Sequence, residues 1–422
     1  MKICAVICEY NPFHTGHLYQ LNKISKKYDD IICLMSGNFV QRAEPAIAEK
    51  SVRAAVALNC GASAVIELPI IYAVANGERF ASGAIKTLSR LTGIEALAMG
   101  CETDDTTALQ KIAEIRAEES DDFKSVLSDY MANGYSYAAA LTEATVTEAE
   151  KRGIPKAATG AILSEPNNLL CIEYVKAIEK YGLNIKPFFI KRQGNSYNSI
   201  SPMGNYLSAT AIRKLLIEKR FTETMPYLTG EANVLLDEFN AHFPDYSIYD
   251  KIVVNELRKL SIDEIAKAYD CHEGLEYKLK DCAMKSIDLD EILANAKSKR
   301  YTMSRLKRIV LQVALGITKE IMNDDFTPPA RLLAIRETFK PYLSNNAGNL
   351  IIRGEDVDMY AGALYDEYFK IEKNAAALYS VVTSNPADLF VPKKLYSISV
   401  LKTVLKRNFY NRRKKRPDLL VL

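Results

Sequence analysis

Two histidines fall in one short motif, His14-Thr15-Gly16-His17, and they are half of the four histidines in the 422-residue chain. An apolar run at residues 3–8 precedes them and a helical pattern at 18–27 follows. At such a strand-to-helix turn the helix N-terminus offers free N–H groups and a partial positive charge to an anion. Gly16 lets a phosphate come close to the backbone. Two imidazoles can donate to its oxygens and stabilise the charge that develops as pyrophosphate leaves. The plainer alternative is one histidine capping the helix and one packed inside; the concentration of both in a single HxGH favours phosphate chemistry. Far downstream, Ser208 and Thr210 can cap another helix. Arg213, one turn in, can bring a planar set of donors to phosphates. Standing alone, that segment would be an ordinary capped helix with a surface arginine.

The elements that must position these groups read as an α/β fold. Short apolar runs at 3–8, 31–35, 64–68 and 96–99 alternate with helical patterns at 18–27, 49–59 and 78–91. This predicts a Rossmann-like parallel sheet with helices on both faces. Residues 106–150 read as two or three helices, 187–190 as a return of the sheet pattern and 210–219 as a strong helix. Beyond about residue 230 the strand pattern fades, and Leu306, Ile309, Val310, Val313, Ala314 and Ile317 describe one apolar helical face. The expected division is a catalytic α/β domain at 1–230 and a mainly helical domain at 231–422, interrupted by a Gly/Asn-rich loop at 344–349.

Composition narrows the function class. Hydrophobic residues at 48% and charged residues at 25% suit a soluble globular chain with a sizeable core. No apolar run approaches the roughly 20 residues of a membrane span. The first run, with one Lys and no small-residue cleavage site, reads as a strand and not as a signal peptide. Eight scattered cysteines without a CxxC pair predict free thiols in a reducing cytoplasm and no zinc site. From Lys393 onward ten Lys/Arg face one acid, Asp418, so the tail carries about +9 and leaves about −6 on the rest of a chain whose net charge is +3. A basic end on an otherwise acidic chain points to a polyanionic partner.

The HxGH motif after the first strand resembles that of the HIGH-type nucleotidylyl transferase superfamily. Residues 208–213, Ser-Ala-Thr-Ala-Ile-Arg, resemble its second signature, S-x-T-x-x-R. Longer pieces resemble the bacterial tRNA(Met) cytidine acetate ligases: Glu9-Tyr10-Asn11-Pro12-Phe13-His14-Thr15-Gly16-His17-Leu18-Tyr19, Met35-Ser36-Gly37-Asn38-Phe39-Val40-Gln41-Arg42, Glu44-Pro45-Ala46, Ile66-Glu67-Leu68-Pro69, Pro166-Asn167-Asn168-Leu169-Leu170, and Lys297-Ser298-Lys299-Arg300-Tyr301-Thr302. The resemblance implies that acetate attacks the α-phosphate of ATP to give acetyl-AMP and pyrophosphate. The acetyl group then passes to the wobble cytidine of elongator tRNA(Met), giving N(4)-acetylcytidine. It further implies that the stretch from Ile7 and Cys8 through Gln20 holds ATP, with His14, His17 and Arg213 as the catalytic phosphate contacts. Gly100, Asn167 or Asn168, Arg192 and Gln193, with Ser208 and Thr210, would complete the nucleotide site, and residues 36–42 would line the same cleft. Magnesium is expected with ATP, without an assigned protein ligand. The chain departs from the family pattern at Ala43, where Gly is expected, at Cys101, where Ser is usual, and at Ser51, where Trp is expected.

Two basic stretches could track an RNA backbone, with aromatics to stack on unpaired bases. One is Lys297, Lys299, Arg300, Arg305, Lys307 and Arg308 with Tyr301, whose charges should lie on the exposed face of the helix they enter. The other is Lys402, Lys406, Arg407, Arg412, Arg413, Lys414, Lys415 and Arg416, with Phe409 and Tyr410. An anticodon loop would present its base to the adenylate at low unstacking cost. The rival readings are a small-molecule adenylyl transferase, disfavoured by the long helical second half, and a non-catalytic RNA-binding protein with structural ATP, disfavoured by the intact His14, His17 and Arg213 set.

Overall fold

The computed structural model describes residues 1–192, 207–239, 242–298, 301–323, 325–346, 349–352, 354–384 and 419–420. Strands β1 (Ile3–Cys8) and β2 (Asp30–Ser36) are followed by a small antiparallel ribbon of β3 (Phe39–Val40) and β4 (Glu44–Pro45), then by β5 (Ala64–Leu68), β6 (Ile94–Cys101) and β7 (Lys186–Lys191). Five of them pair in parallel in the order β5-β2-β1-β6-β7. Their near-continuous apolar sequences fit strands covered on both faces. In β1, Ile3 and Ala5 enter one apolar cluster and Cys4 and Val6 the other, as alternation along a strand requires. Chain order reverses at β1, so a crevice opens at the carboxyl ends of β1 and β6, where open α/β sheets bind ligands.

Helix α1 (Thr15–Ile24) starts three residues before the expected span because His14 is its N-cap. Helix α2 (Lys50–Asn59) follows the ribbon. The stretch 106–150 forms three helices, Thr106–Glu118, Asp121–Ala132 and Tyr137–Lys151. The strong downstream helix spans Ala209–Ile217.

Helices dominate the second half, but the strand pattern that the sequence shows fading returns once. Strand β8 (Ala330–Arg336) enters the same sheet antiparallel to β5; β9 (Leu350–Ile351) and β10 (Leu419–Leu420) pair with it in turn. The segment Ala-Arg-Leu-Leu-Ala-Ile-Arg lacks alternation and is rich in helix formers, so tertiary pairing decides its state. Its register sets Arg331 directly opposite Glu67. The guanidinium lies 3.2 Å from Glu67 and 3.3 Å from Glu372, and Lys50 Nζ lies 2.7 Å from Glu67 on another side. Burial pushes the Glu67 carboxyl up, but Lys50 and Arg331 outweigh it and hold the group below the usual carboxylate range. The core also runs across residue 230: Val253, Leu306, Ile309 and Ile371 share a cluster with Ile32, Leu34 and Ile66.

Candidate active site

The loop from β1 to α1 is built around a histidine pair. The Gly16 N–H donates to His14 Nδ1 at 3.0 Å, and the His14 N–H donates to His17 Nδ1 at 3.3 Å, a capping box made of two imidazoles. The rings stack with centroids 3.8 Å apart, and Tyr10 and Phe13 support His17 at 4.9 and 5.5 Å. Because each Nδ1 accepts a hydrogen bond, each neutral ring carries its proton on Nε2. Burial and the Arg192 guanidinium push His14 down to about 3; burial, His14 and Arg192 push His17 down as well. The two histidines therefore cap the helix and line the cleft at once, as neutral donors.

Arg213 reaches this loop from the helix Ala209–Ile217. It donates to the Asn11 carbonyl at 2.8 Å, to Glu44 at 2.9 Å and to Thr210 Oγ1 at 3.4 Å. Ser208 caps that helix, its Oγ accepting from the Ala211 N–H. The Asn11 side-chain oxygen accepts from the Ile47 N–H at 2.8 Å, which fixes the amide; its Nδ2 is buried with no partner among the described residues. An unpaired buried N–H costs about 1–3 kcal/mol.

One cleft gathers most of the expected residues. Ile7, Cys8, Glu9, Tyr10, Asn11, His14, Gly16, His17, Tyr19 and Gln20 line it, with Gly100, Asn167, Arg192, Ser208, Thr210 and Arg213. Pro12, Phe13, Thr15 and Leu18 are not part of its lining. A Cβ on Gly100 would stand 3.4 Å from Arg192 Cγ, so the glycine lets that side chain lie against the strand. Arg192 in turn donates to the Asn167 side chain at 3.4 Å. Asn168 is buried and faces inward: its side chain accepts from the Glu102 N–H at 2.9 Å and donates to the Ile162 carbonyl at 3.2 Å. Of residues 36–42, Gln41 and Arg42 line the cleft. Gln193 lies outside the described residues.

Sequence reasoning missed the apolar walls Phe80, Met99, Leu170 and Tyr174. It also missed Arg53, a fully buried guanidinium on α2 that donates to the carbonyls of Ala48, Glu9, Ser36 and Gly37 and so ties three loops together. A lone arginine inside the apolar stretch Val52 to Leu58 was the available signal.

Comparison with known proteins bears on this geometry. The HIGH Nucleotidyl Transferase family matches residues 1–389. A tRNA(Met) cytidine acetate ligase of Thermoanaerobacter sp. is 38% identical over 81% of this chain and 85% of its own length. One from Acetivibrio thermocellus is 35% identical over 92% and 96%. The chain belongs to the tRNA(Met) cytidine acetate ligase family. Two crystal structures of Thermotoga maritima TmcAL superpose over 94% of this chain and 98% of theirs. The apo form gives a TM-score of 0.86 at 29% identity, and the form bound with alpha-thio ATP gives 0.85 at 28%.

The departures from the family pattern have structural readings. Ala43 has φ +58, a left-handed conformation costing an L-residue about 1–2 kcal/mol, which is why glycine suits the position. Cys101 packs in the core, its thiol 3.5 Å from the Thr103 carbonyl and not on the cleft wall; burial raises its pKa to about 11. Ser51 lies near the start of α2 and does not line the cleft. On the RNA side, Lys297 is exposed. Arg305 and Arg308 differ from the expected exposed face. Arg308 pairs with buried Asp270 at 2.8 Å, and Arg305 donates to the Asp270 carbonyl while lying 5.6 Å from the Tyr301 ring. A buried carboxylate needs a cation, and Asp270 draws this one inward. Lys299, Arg300, Arg412, Arg413, Lys414 and Lys415 lie outside the described residues.

Proposed function

We propose that this protein activates acetate with ATP and transfers the acetyl group to the wobble cytidine of elongator tRNA(Met), giving N(4)-acetylcytidine. The observation that carries the reading is the stacked His14–His17 pair, both Nδ1 atoms committed to the helix cap, in one cleft with Arg192 and Arg213. Neutral Nε2–H donors and fixed guanidinium groups suit a triphosphate whose β,γ portion leaves as pyrophosphate. An acetate oxygen attacks the α-phosphorus, the bond to the β-phosphate oxygen breaks, and acetyl-AMP remains. The cytidine N4 then attacks the acetyl carbon, AMP departs with the electron pair of the broken C–O bond, and N4 gives up one proton to solvent. The binding of alpha-thio ATP by the Thermotoga maritima relative supports the nucleotide half of this reading. The names of the relatives support the tRNA half.

In this reading His14, His17 and Arg213 contact the phosphates. Asn11, Gly100, Asn167, Arg192, Ser208 and Thr210 complete the nucleotide site. Magnesium would accompany the triphosphate, keeping several of its waters. Residues 1–230 supply most of the chemistry, and residues 231–422, with Lys297 and the basic tail, supply the RNA surface. The reaction belongs in the cytoplasm, where the eight free cysteines stay reduced. Incubation with ATP, labelled acetate and tRNA, followed by mass spectrometry of the nucleosides, should show labelled N(4)-acetylcytidine only when all three are present. Pyrophosphate release that ignores acetate would overturn the proposal.

A further inference from the structure

The short strand β4 carries Glu44, and every carbonyl flanking Glu44 is held from elsewhere. Tyr249 donates its hydroxyl to the Ala43 carbonyl at 3.2 Å, Tyr246 to Pro45 at 3.3 Å and Tyr379 to Ala46 at 2.9 Å. Tyr246 and Tyr249 lie one turn apart on the helix Tyr246–Lys259, and Tyr379 lies on the helix Ala363–Val382. Burial pushes all three phenols up, so each stays a protonated donor. The Tyr379 ring also meets Phe39, the β3 residue paired with Pro45, edge-on at 6.1 Å. Glu44 points the other way and holds the Arg213 guanidinium at 2.9 Å.

We infer that Glu44 is a positioning residue for Arg213, and that the hydroxyls of Tyr246, Tyr249 and Tyr379 hold it in place, so the second half of the chain is a working part of the nucleotide site. Arg213 has rotatable bonds enough to leave the cleft. The Glu44 carboxylate and Thr210 Oγ1 take one nitrogen of its fork and the Asn11 carbonyl takes the other, which fixes the plane of a guanidinium that lines the cleft. A guanidinium set in advance costs less to order when a phosphate arrives.

The inference rests on the reading of the cleft as an ATP site, and its test reads nucleotide binding apart from acetylation. In the full chain, Tyr249→Phe with Tyr379→Phe removes two oxygen atoms and no ring. Affinity for a non-hydrolysable ATP analogue, measured by calorimetry, should fall by about fivefold for each hydroxyl removed. The KM for acetate should stay unchanged. Glu44→Ala should lower analogue affinity about ten- to a hundredfold, while Glu44→Gln, which keeps an acceptor, should recover it to within about fivefold. Tyr342→Phe is the control: that hydroxyl also donates to a carbonyl, of Thr92 at 2.9 Å, away from the cleft. It should lower the melting temperature comparably and leave analogue affinity alone. Unchanged affinity in the double tyrosine variant, or an equal loss in Tyr342→Phe, overturns the inference. A wild-type chain that binds the analogue and acetylates no tRNA would overturn the proposed function instead, and the binding results would still decide the role of Glu44.

Discussion

At the scale of the residue, the histidine pair is defined by what it cannot do. With both Nδ1 atoms accepting backbone N–H groups, neither ring serves as a base without dismantling the turn that holds it. In the proposed reading they donate from Nε2, so His17→Ala should reduce acetate-dependent pyrophosphate release by about 10²–10³-fold. tRNA binding, followed by filter retention, should be spared. The same geometry fixes a pH signature. Burial first, and the Arg192 charge after it, hold His14 at about 3 against an ordinary value of 6.5, and His17 is lowered too. Between about 6.5 and 3 the unfolded chain binds protons that the folded chain refuses, so these groups erode stability as pH falls through that window. In the free folded protein the two imidazole C–H resonances should not titrate between pH 5 and 8 by NMR. Titration of either ring there would contradict the cap.

At the scale of the element, the β5–β8 junction depends on an ion pair with little slack. Arg331 serves Glu67 and Glu372 together; without it Glu67 keeps Lys50 at 2.7 Å, while Glu372 is left with the neutral Tyr368 hydroxyl at 2.9 Å. Arg331→Ala should cost about 3–5 kcal/mol in chemical denaturation, far more than a surface pair. This junction also marks where the sequence stopped being legible. The strands β1, β2, β5, β6 and β7 announce themselves as short apolar runs between helices, and their parallel pairing follows from that rhythm. Strand β8 does not, because Ala, Leu and Arg prefer a helix when nothing else is considered; only Pro328 and Pro329 just before it hint at a break. The site divides in the same way. The HxGH turn and Arg213 were visible because motif and chemistry coincide; Gly100 and Arg192 were visible only through the family resemblance. Asn167 and Asn168 could not be separated until helix Pro166–Lys180 turned one to the cleft and the other to the Glu102 backbone. Arg53 was hidden, and Glu44 showed only within a segment resembling the family, because their work is done on backbone carbonyls and on another side chain, which leave no trace in residue spacing.

At the scale of the whole molecule, the proposed reading puts RNA affinity and adenylate formation on different parts of the chain. The basic residues of the tail should govern RNA affinity without touching adenylate formation. Replacing Arg412, Arg413, Lys414 and Lys415 by Gln should lower the slope of log affinity against log salt by about 3, as expected when four cations stop releasing counterions from single-stranded RNA. Acetate-dependent pyrophosphate release should be unchanged. An equal salt slope in the variant would move the RNA surface elsewhere. The antiparallel strand has a consequence on another axis, that of time. During synthesis β5 leaves the ribosome about 260 residues ahead of β8. At about 5–20 residues per second, the nascent chain spends roughly 13–50 s with that flank of the sheet unpaired and open to other strands. Slow translation of the middle of the message, or a shortage of chaperones, should therefore reduce the yield of this protein more than its final stability would suggest.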